Sequence, residues 1–118
     1  MKTTPNTAKL HIPVKIGSRM EVIPNQILML KADQNYTEVF LLNGSKILSS
    51  TTMGTIEKRL VGNVFFRVNR STIINTRHII KTGEKNLEIQ TTEKSKPELV
   101  KISRRRAKPF LAFTSLNN

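Results

Sequence analysis

Two stretches of this chain concentrate the side chains that could do chemistry. The first holds Arg67, Arg70, Arg77, His78 and Lys81; the second holds Lys101, Arg104, Arg105, Arg106 and Lys108. Their chemistry is the recognition of anions. A guanidinium is a planar fork that matches a phosphate, and it also pairs with both acceptors on the major-groove edge of guanine. Runs of charge are usually a solvated surface, but three features here add up. The 118 residues carry 20 Lys plus Arg against 8 Asp plus Glu, a formal net charge of +12. Arg dominates both clusters. Aromatics are sparse, with one Tyr, five Phe and no Trp, which favours duplex binding over a platform for stacking single strands.

Other chemistries find little support. The acidic residues Glu21, Asp33, Glu38, Glu57, Glu84, Glu88, Glu93 and Glu98 are scattered, without a close pair for acid/base work. His11 and His78 stand far apart and lack metal-ligand spacing. His11 reads as a solvated histidine, and His78 either as a phosphate contact or as a plain loop residue. The absence of Cys removes disulfides, thiolate nucleophiles and Cys-ligated metals. There is no glycine-rich phosphate loop. A Ser–His–acid triad assembles in space and is not excluded by sequence, yet nothing points to an enzyme, a cofactor or a metal. No apolar run approaches the ~20 residues of a membrane span. The first seven residues hold Lys2 but no apolar stretch, unlike a signal peptide.

The elements that must position the basic clusters are mostly short strands. Residues 1–8 are polar and read as a tail. Leu10, Ile12, Val14 and Ile16 alternate with polar positions and predict an edge strand, since Pro13 cannot donate to a ladder. Gly17-Ser18 predicts a two-residue hairpin to a strand over residues 20–23. Pro24-Asn25-Gln26 reads as a short turn, and Ile27-Leu28-Met29-Leu30 as a buried strand. Asp33-Gln34-Asn35 breaks the pattern before a strand over residues 36–42. Asn43-Gly44 is a hairpin signal leading to residues 46–50. Met53, Ile56 and Leu60 recur at helical spacing, so a helix is expected from Thr51 or Thr52 to Val61, capped by Thr52 and ended by Gly62. A strand follows over residues 64–68, then the short apolar pairs Ile73-Ile74 and Ile79-Ile80, then strands over residues 87–91 and 99–102, with turns over residues 83–86 and 93–97. A C-terminal helix is expected from Arg104 to about Phe113, starting late or kinked at Pro109. Many short strands with frequent turn signals predict a mostly β domain.

Three stretches carry a resemblance. They are Phe65-Phe66-Arg67-Val68-Asn69-Arg70-Ser71-Thr72-Ile73-Ile74-Asn75, then Leu87-Glu88-Ile89, then Val100-Lys101-Ile102-Ser103-Arg104-Arg105. In this order they resemble the LytTR DNA-binding domain of bacterial response regulators, with its F-x-R-x-H-R-S-x-[IV]-V-N block and its closing I-x-[IV]-S-R-R. Upstream, the segment from Ile27 to Thr37 is similar to a further block of that family. Asn69 stands where the family usually has His, and Lys31 where it often has Glu. The resemblance covers about residues 9–113 and leaves residues 114–118 as a C-terminal tail.

The resemblance implies an elongated, mainly β fold of about ten antiparallel strands with one or two short helices. It implies a cytoplasmic bacterial regulator, of the two-component type, that binds double-stranded DNA at promoter direct repeats. Two copies would sit on one face of the duplex and bend it, and loops rather than a recognition helix would make the contacts. Those loops fall on residues 33–36, 69–71 and 103–105, with Asn35, Arg70 and Arg105 as base readers. Asn69, Arg77, His78, Lys81, Lys101, Arg104 and Arg106 are expected on phosphates. Ser71 and Asn75 are expected to hydrogen-bond the backbone of tight turns. Family members usually carry a phosphoacceptor receiver domain, for which this chain has no room. It reads as a stand-alone regulator or an excised effector domain, monomeric until it pairs on DNA, with any external regulatory protein undefined. On charge and size alone, two rivals stand: a structured-RNA-binding basic β domain, and a basic module for a protein or membrane surface.

Overall fold

The computed structural model describes residues 10–11, 13–17, 19–60, 64–90 and 96–116. Expectations resting on Lys9, Ile12, Ser18, Gly62 and residues 91–95 lie outside that set. A small hairpin pairs β1 (Val14–Lys15) with β2 (Glu21–Val22). A five-stranded antiparallel sheet has the order β5-β4-β3-β7-β6, formed by β3 (Ile27–Asp33), β4 (Tyr36–Leu41), β5 (Lys46–Ser49), β6 (Phe65–Asn69) and β7 (Thr72–Asn75). A three-stranded antiparallel sheet has the order β10-β9-β8, formed by β8 (Ile79–Thr82), β9 (Asn86–Ile89) and β10 (Glu98–Lys101). The helices are α1 (Met53–Arg59) and α2 (Ala107–Leu116).

The five-stranded sheet is the middle layer, and both of its faces are buried. Leu30 lies opposite Val39 and Ile73. Their side of the sheet packs with Ile16, Val22, Met53, Ile56 and Leu60 from the hairpin and α1. On the other side Met29 lies opposite Ile74 and packs with Leu87, Ile89, Val100, Ile102 and Phe110 from the second sheet and α2. A strand covered on both faces has no wet side, which is why Ile27 to Leu30 is unbroken apolar sequence. Phe66 seats α2 through ring contacts of 5.4 Å to Phe110 and 4.9 Å to Phe113.

The structure corrects several expectations. Its principal extents are 38 × 34 × 31 Å, close to equant rather than elongated, because the layers stack face to face. The first strand is only two residues long. Leu10 and His11 form a turn, and Leu10 is buried without a ladder partner, its carbonyl accepting from Asn25 N at 2.9 Å. Pro13 has no N–H to extend the pairing. The β1–β2 connection runs over residues 16–20, closed by Ile16 N to Met20 O at 2.9 Å, and is longer than a two-residue turn. Thr52 stands at the N-cap of α1, but its hydroxyl pairs with Thr55 Oγ1 at 2.9 Å instead of capping a backbone N–H. At the C-terminus a 3-10 turn, Arg104–Arg106, precedes α2. Pro109 then falls in the first turn of α2, where proline is tolerated. The helix reaches Leu116, beyond the expected Phe113.

Candidate nucleic-acid interface

Strand register brings the first two loops together. Asp33 pairs with Tyr36, so Gln34-Asn35 is a two-residue tip between β3 and β4. Asn69 pairs with Thr72, so Arg70-Ser71 is a two-residue tip between β6 and β7. Since β3 also pairs antiparallel with β7, Lys31 against Thr72, the two tips share one end of the sheet. Ala32 N donates to Ser71 O at 2.8 Å and joins them directly. The β3–β4 tip has a positive φ of 57° at Gln34, not at Asn35, and Asn35 is exposed.

The third loop is tied to the second by two hydrogen bonds. Asn69 Nδ2 donates to Lys101 O at 2.7 Å, and Ser103 N donates to Val68 O at 2.9 Å. Asn69 Oδ1 meanwhile accepts from Ser71 N at 2.9 Å and fixes the shape of its own tip. A bulge at Val68 lets β6 carry this extra residue against β7. All three expected loops therefore meet at one end of the molecule.

Arg70, Arg104, Arg105 and Lys101 are exposed there, and among the described residues none of them makes an ion pair. Arg106 is partly buried. Arg67, in contrast, is a fastener. Its Nη1 donates to Glu57 Oε1 of α1 at 3.1 Å and its Nη2 to Arg70 O at 2.6 Å. Its place in the basic cluster of the sequence thus reflects the anchoring of a tip.

The remaining cations are distributed unevenly. Lys81 lies on β8, exposed and opposite Glu88. The β8–β9 tip beyond it reaches the third loop, where Ile102 N donates to Lys85 O at 2.8 Å. This places Lys85, a residue the sequence reading did not single out, beside Lys101 and Ser103; its only sequence signal was a place in a turn. Arg77 and His78 follow Asn75, at the opposite end of β7 from the tips. The pKa of His78 is lowered, first by burial and then by the neighbouring Arg77 charge. Asn75 is buried and structural. Its Nδ2 donates to Ile27 O at 2.9 Å and its Oδ1 accepts from Arg77 N at 3.0 Å, as expected of a turn residue. Lys31 bridges to Glu98 of the second sheet and sits 5.2 Å from the Phe40 ring centre, so its half-buried ammonium is tied between the two sheets.

No group of three or more His, Asp or Glu side chains is placed to hold a metal among the described residues, and no helix there is long and apolar enough to cross a membrane. What remains is a layered β domain that presents exposed Arg and Asn on loops tied together at one end. Residues 18–114 match the LytTr DNA-binding domain family, and the chain belongs to it. The fold is similar to a solved LytTr DNA-binding domain of a methyl-accepting/DNA response regulator from Bacillus cereus, with a TM-score of 0.63, 18% identity, and coverage of 87% of this chain and 94% of that one. No curated protein matches the chain. Membership supports DNA binding in transcription regulation as its general role.

Proposed function

We propose that this chain reads double-stranded DNA sequence-specifically, as a regulator that recognises promoter direct repeats through loops set in the major groove. The observation that carries this reading is the convergence of residues 33–36, 69–71 and 103–105 at one end of the sheet, with two inter-loop hydrogen bonds between the second and third. Loops that read bases must hold a fixed spacing, because a bidentate pair discriminates only when its geometry is kept. Asn35, Arg70 and Arg105 are the base readers. Lys101, Arg104, Arg106 and Lys81 hold phosphates, which supply affinity and register. Asn69 serves this set by tying two loops. Arg77 and His78 carry no part of it. Two copies meet on the duplex, and flexible steps between the half-sites favour a bend.

The test is selection from a random duplex library at about 150 mM salt. The expected pool contains a motif of ~9 base pairs repeated about one helical turn apart. With about six phosphates neutralised, log K against log salt falls with a slope of roughly −5. A pool that stays random under strong binding, or a preference for structured RNA at equal salt, overturns the reading.

A further inference from the structure

The basic groups discussed so far lie on the tips and on the side of the second sheet. The other side of the tips, formed by the β1–β2 connection and α1, carries its own cations. Arg19 lies in the connection over residues 16–20. That connection is held at the tip end, because Ser49 Oγ donates to Ile16 O and Ser49 pairs with Thr37, one residue from the Tyr36 that closes the β3–β4 tip. Lys58 and Arg59 end α1. The helix is held at the same end, since Glu57 pairs with Arg67 and Arg67 in turn holds Arg70 O. Arg59 Nη1 donates to Lys15 O at 3.0 Å and locks the helix to the hairpin. Arg19, Lys58 and Arg59 are exposed, and among the described residues none pairs with a carboxylate. Lys15 lies opposite Glu21 across the hairpin and is left out.

We infer that Arg19, Lys58 and Arg59 form a second phosphate-binding shoulder, which engages the sugar-phosphate backbone of duplex flanking the bases read by the tips. The tips then stand between two basic shoulders, with Lys85, Lys101 and Arg104 on the opposite side. The ligand of the new shoulder is the phosphodiester backbone itself, so its contribution is independent of sequence and strongly salt-dependent. The chain's charge of +12 is thereby divided among tips and flanks instead of forming one diffuse field. This inference rests on the reading of the tips as the duplex-contacting end.

A charge-matched comparison tests it. One variant combines Arg19→Gln with Lys58→Gln, which leaves the Arg59 lock intact. The control combines Arg77→Gln with Lys46→Gln; Arg77 lies at the far end of β7, and Lys46 pairs with Phe40, which lies opposite Met29 away from the tips. Both lose two positive charges. The probe is a mixed-sequence duplex of about 24 base pairs, titrated by anisotropy across a range of salt. Two lost phosphate contacts make the slope of log K against log salt shallower by about 1.8 in the first variant, with the control near wild type. Equal slopes in the two variants overturn the shoulder, since net charge alone would then explain both. Matching thermal melts exclude misfolding, and Arg19→Lys with Lys58→Arg restores the wild-type slope. If the shoulder variant shifts the slope yet no sequence is ever enriched from a random library, base reading by the tips fails while the shoulder stands.

Discussion

The amide of Asn69 donates to the carbonyl of Lys101 across 2.7 Å and so joins two loops that stand 32 residues apart in the chain. The same side chain accepts from Ser71 N within its own tip. One side chain therefore shapes the Arg70 loop and, together with the Ser103 N to Val68 O bond, sets its distance from the Arg104–Arg106 turn. Where the family pattern usually has His, this chain places a side chain that donates and accepts at once.

Asn69→Ala should damage discrimination more than affinity. The fold loses about 1 kcal/mol from the missing hydrogen bonds, a few degrees of melting temperature in a domain of this size. Binding to a selected site should weaken about tenfold while binding to a scrambled duplex and the salt slope stay near wild type. An equal loss on both duplexes would make Asn69 a direct phosphate contact.

Arg105→Ala and Lys81→Ala should separate by type of contact. With Arg105 reading a base as proposed, the first costs ~1–3 kcal/mol on the selected site and flattens preference at one position. The second weakens selected and scrambled duplexes alike and reduces the salt slope by about 1. Competition titrations with both duplexes decide it, and uniform losses for Arg105→Ala would remove it from the readers.

Gln34 occupies the left-handed region at the β3–β4 tip, with φ of 57°. That conformation costs a residue with a Cβ about 1–2 kcal/mol. Gln34→Gly should raise stability by about 0.5 kcal/mol, the relief being partly offset by a more flexible unfolded chain. Gly54→Ala should add roughly 0.5–1 kcal/mol, because a Cβ there meets nothing within 4 Å and the helix gains a better former. Urea unfolding with an unchanged m-value would register both gains.

The lowered pKa of His78 has a definite sign in stability. Burial and the Arg77 charge disfavour its protonated form in the folded chain, so the unfolded chain binds this proton more readily. The contribution of His78 is present above its ordinary value of 6.5 and is lost as the pH falls from there through the lowered folded value. His78→Gln should flatten the loss of stability that sets in as the pH falls below the ordinary histidine value of 6.5. Duplex affinity should show no His78-dependent rise on acidification; such a rise would place the ring against a phosphate.

Much of this protein is legible in its linear order, because local rules govern it. The Asn43-Gly44 turn is where its dipeptide predicts, with Gly44 at φ of 91°. The spacing of Met53, Ile56 and Leu60 marks the buried face of α1. The unbroken run from Ile27 to Leu30 announces a strand covered on both faces. The two basic clusters, together with the net charge, name a polyanion as partner without any coordinates. What tertiary structure alone decided is which cations act together. Arg67, Arg70 and Arg77 look equivalent along the chain. Yet β7 sends Arg77 to the far end of the sheet, and an ion pair with Glu57 turns Arg67 into a fastener. Arg70 is left exposed at the tip. Lys85, Arg19 and Lys58 come near the tips only because antiparallel pairing and α1 packing carry them there. Sheet register is set by contacts between residues tens of positions apart, and no local propensity encodes those distances.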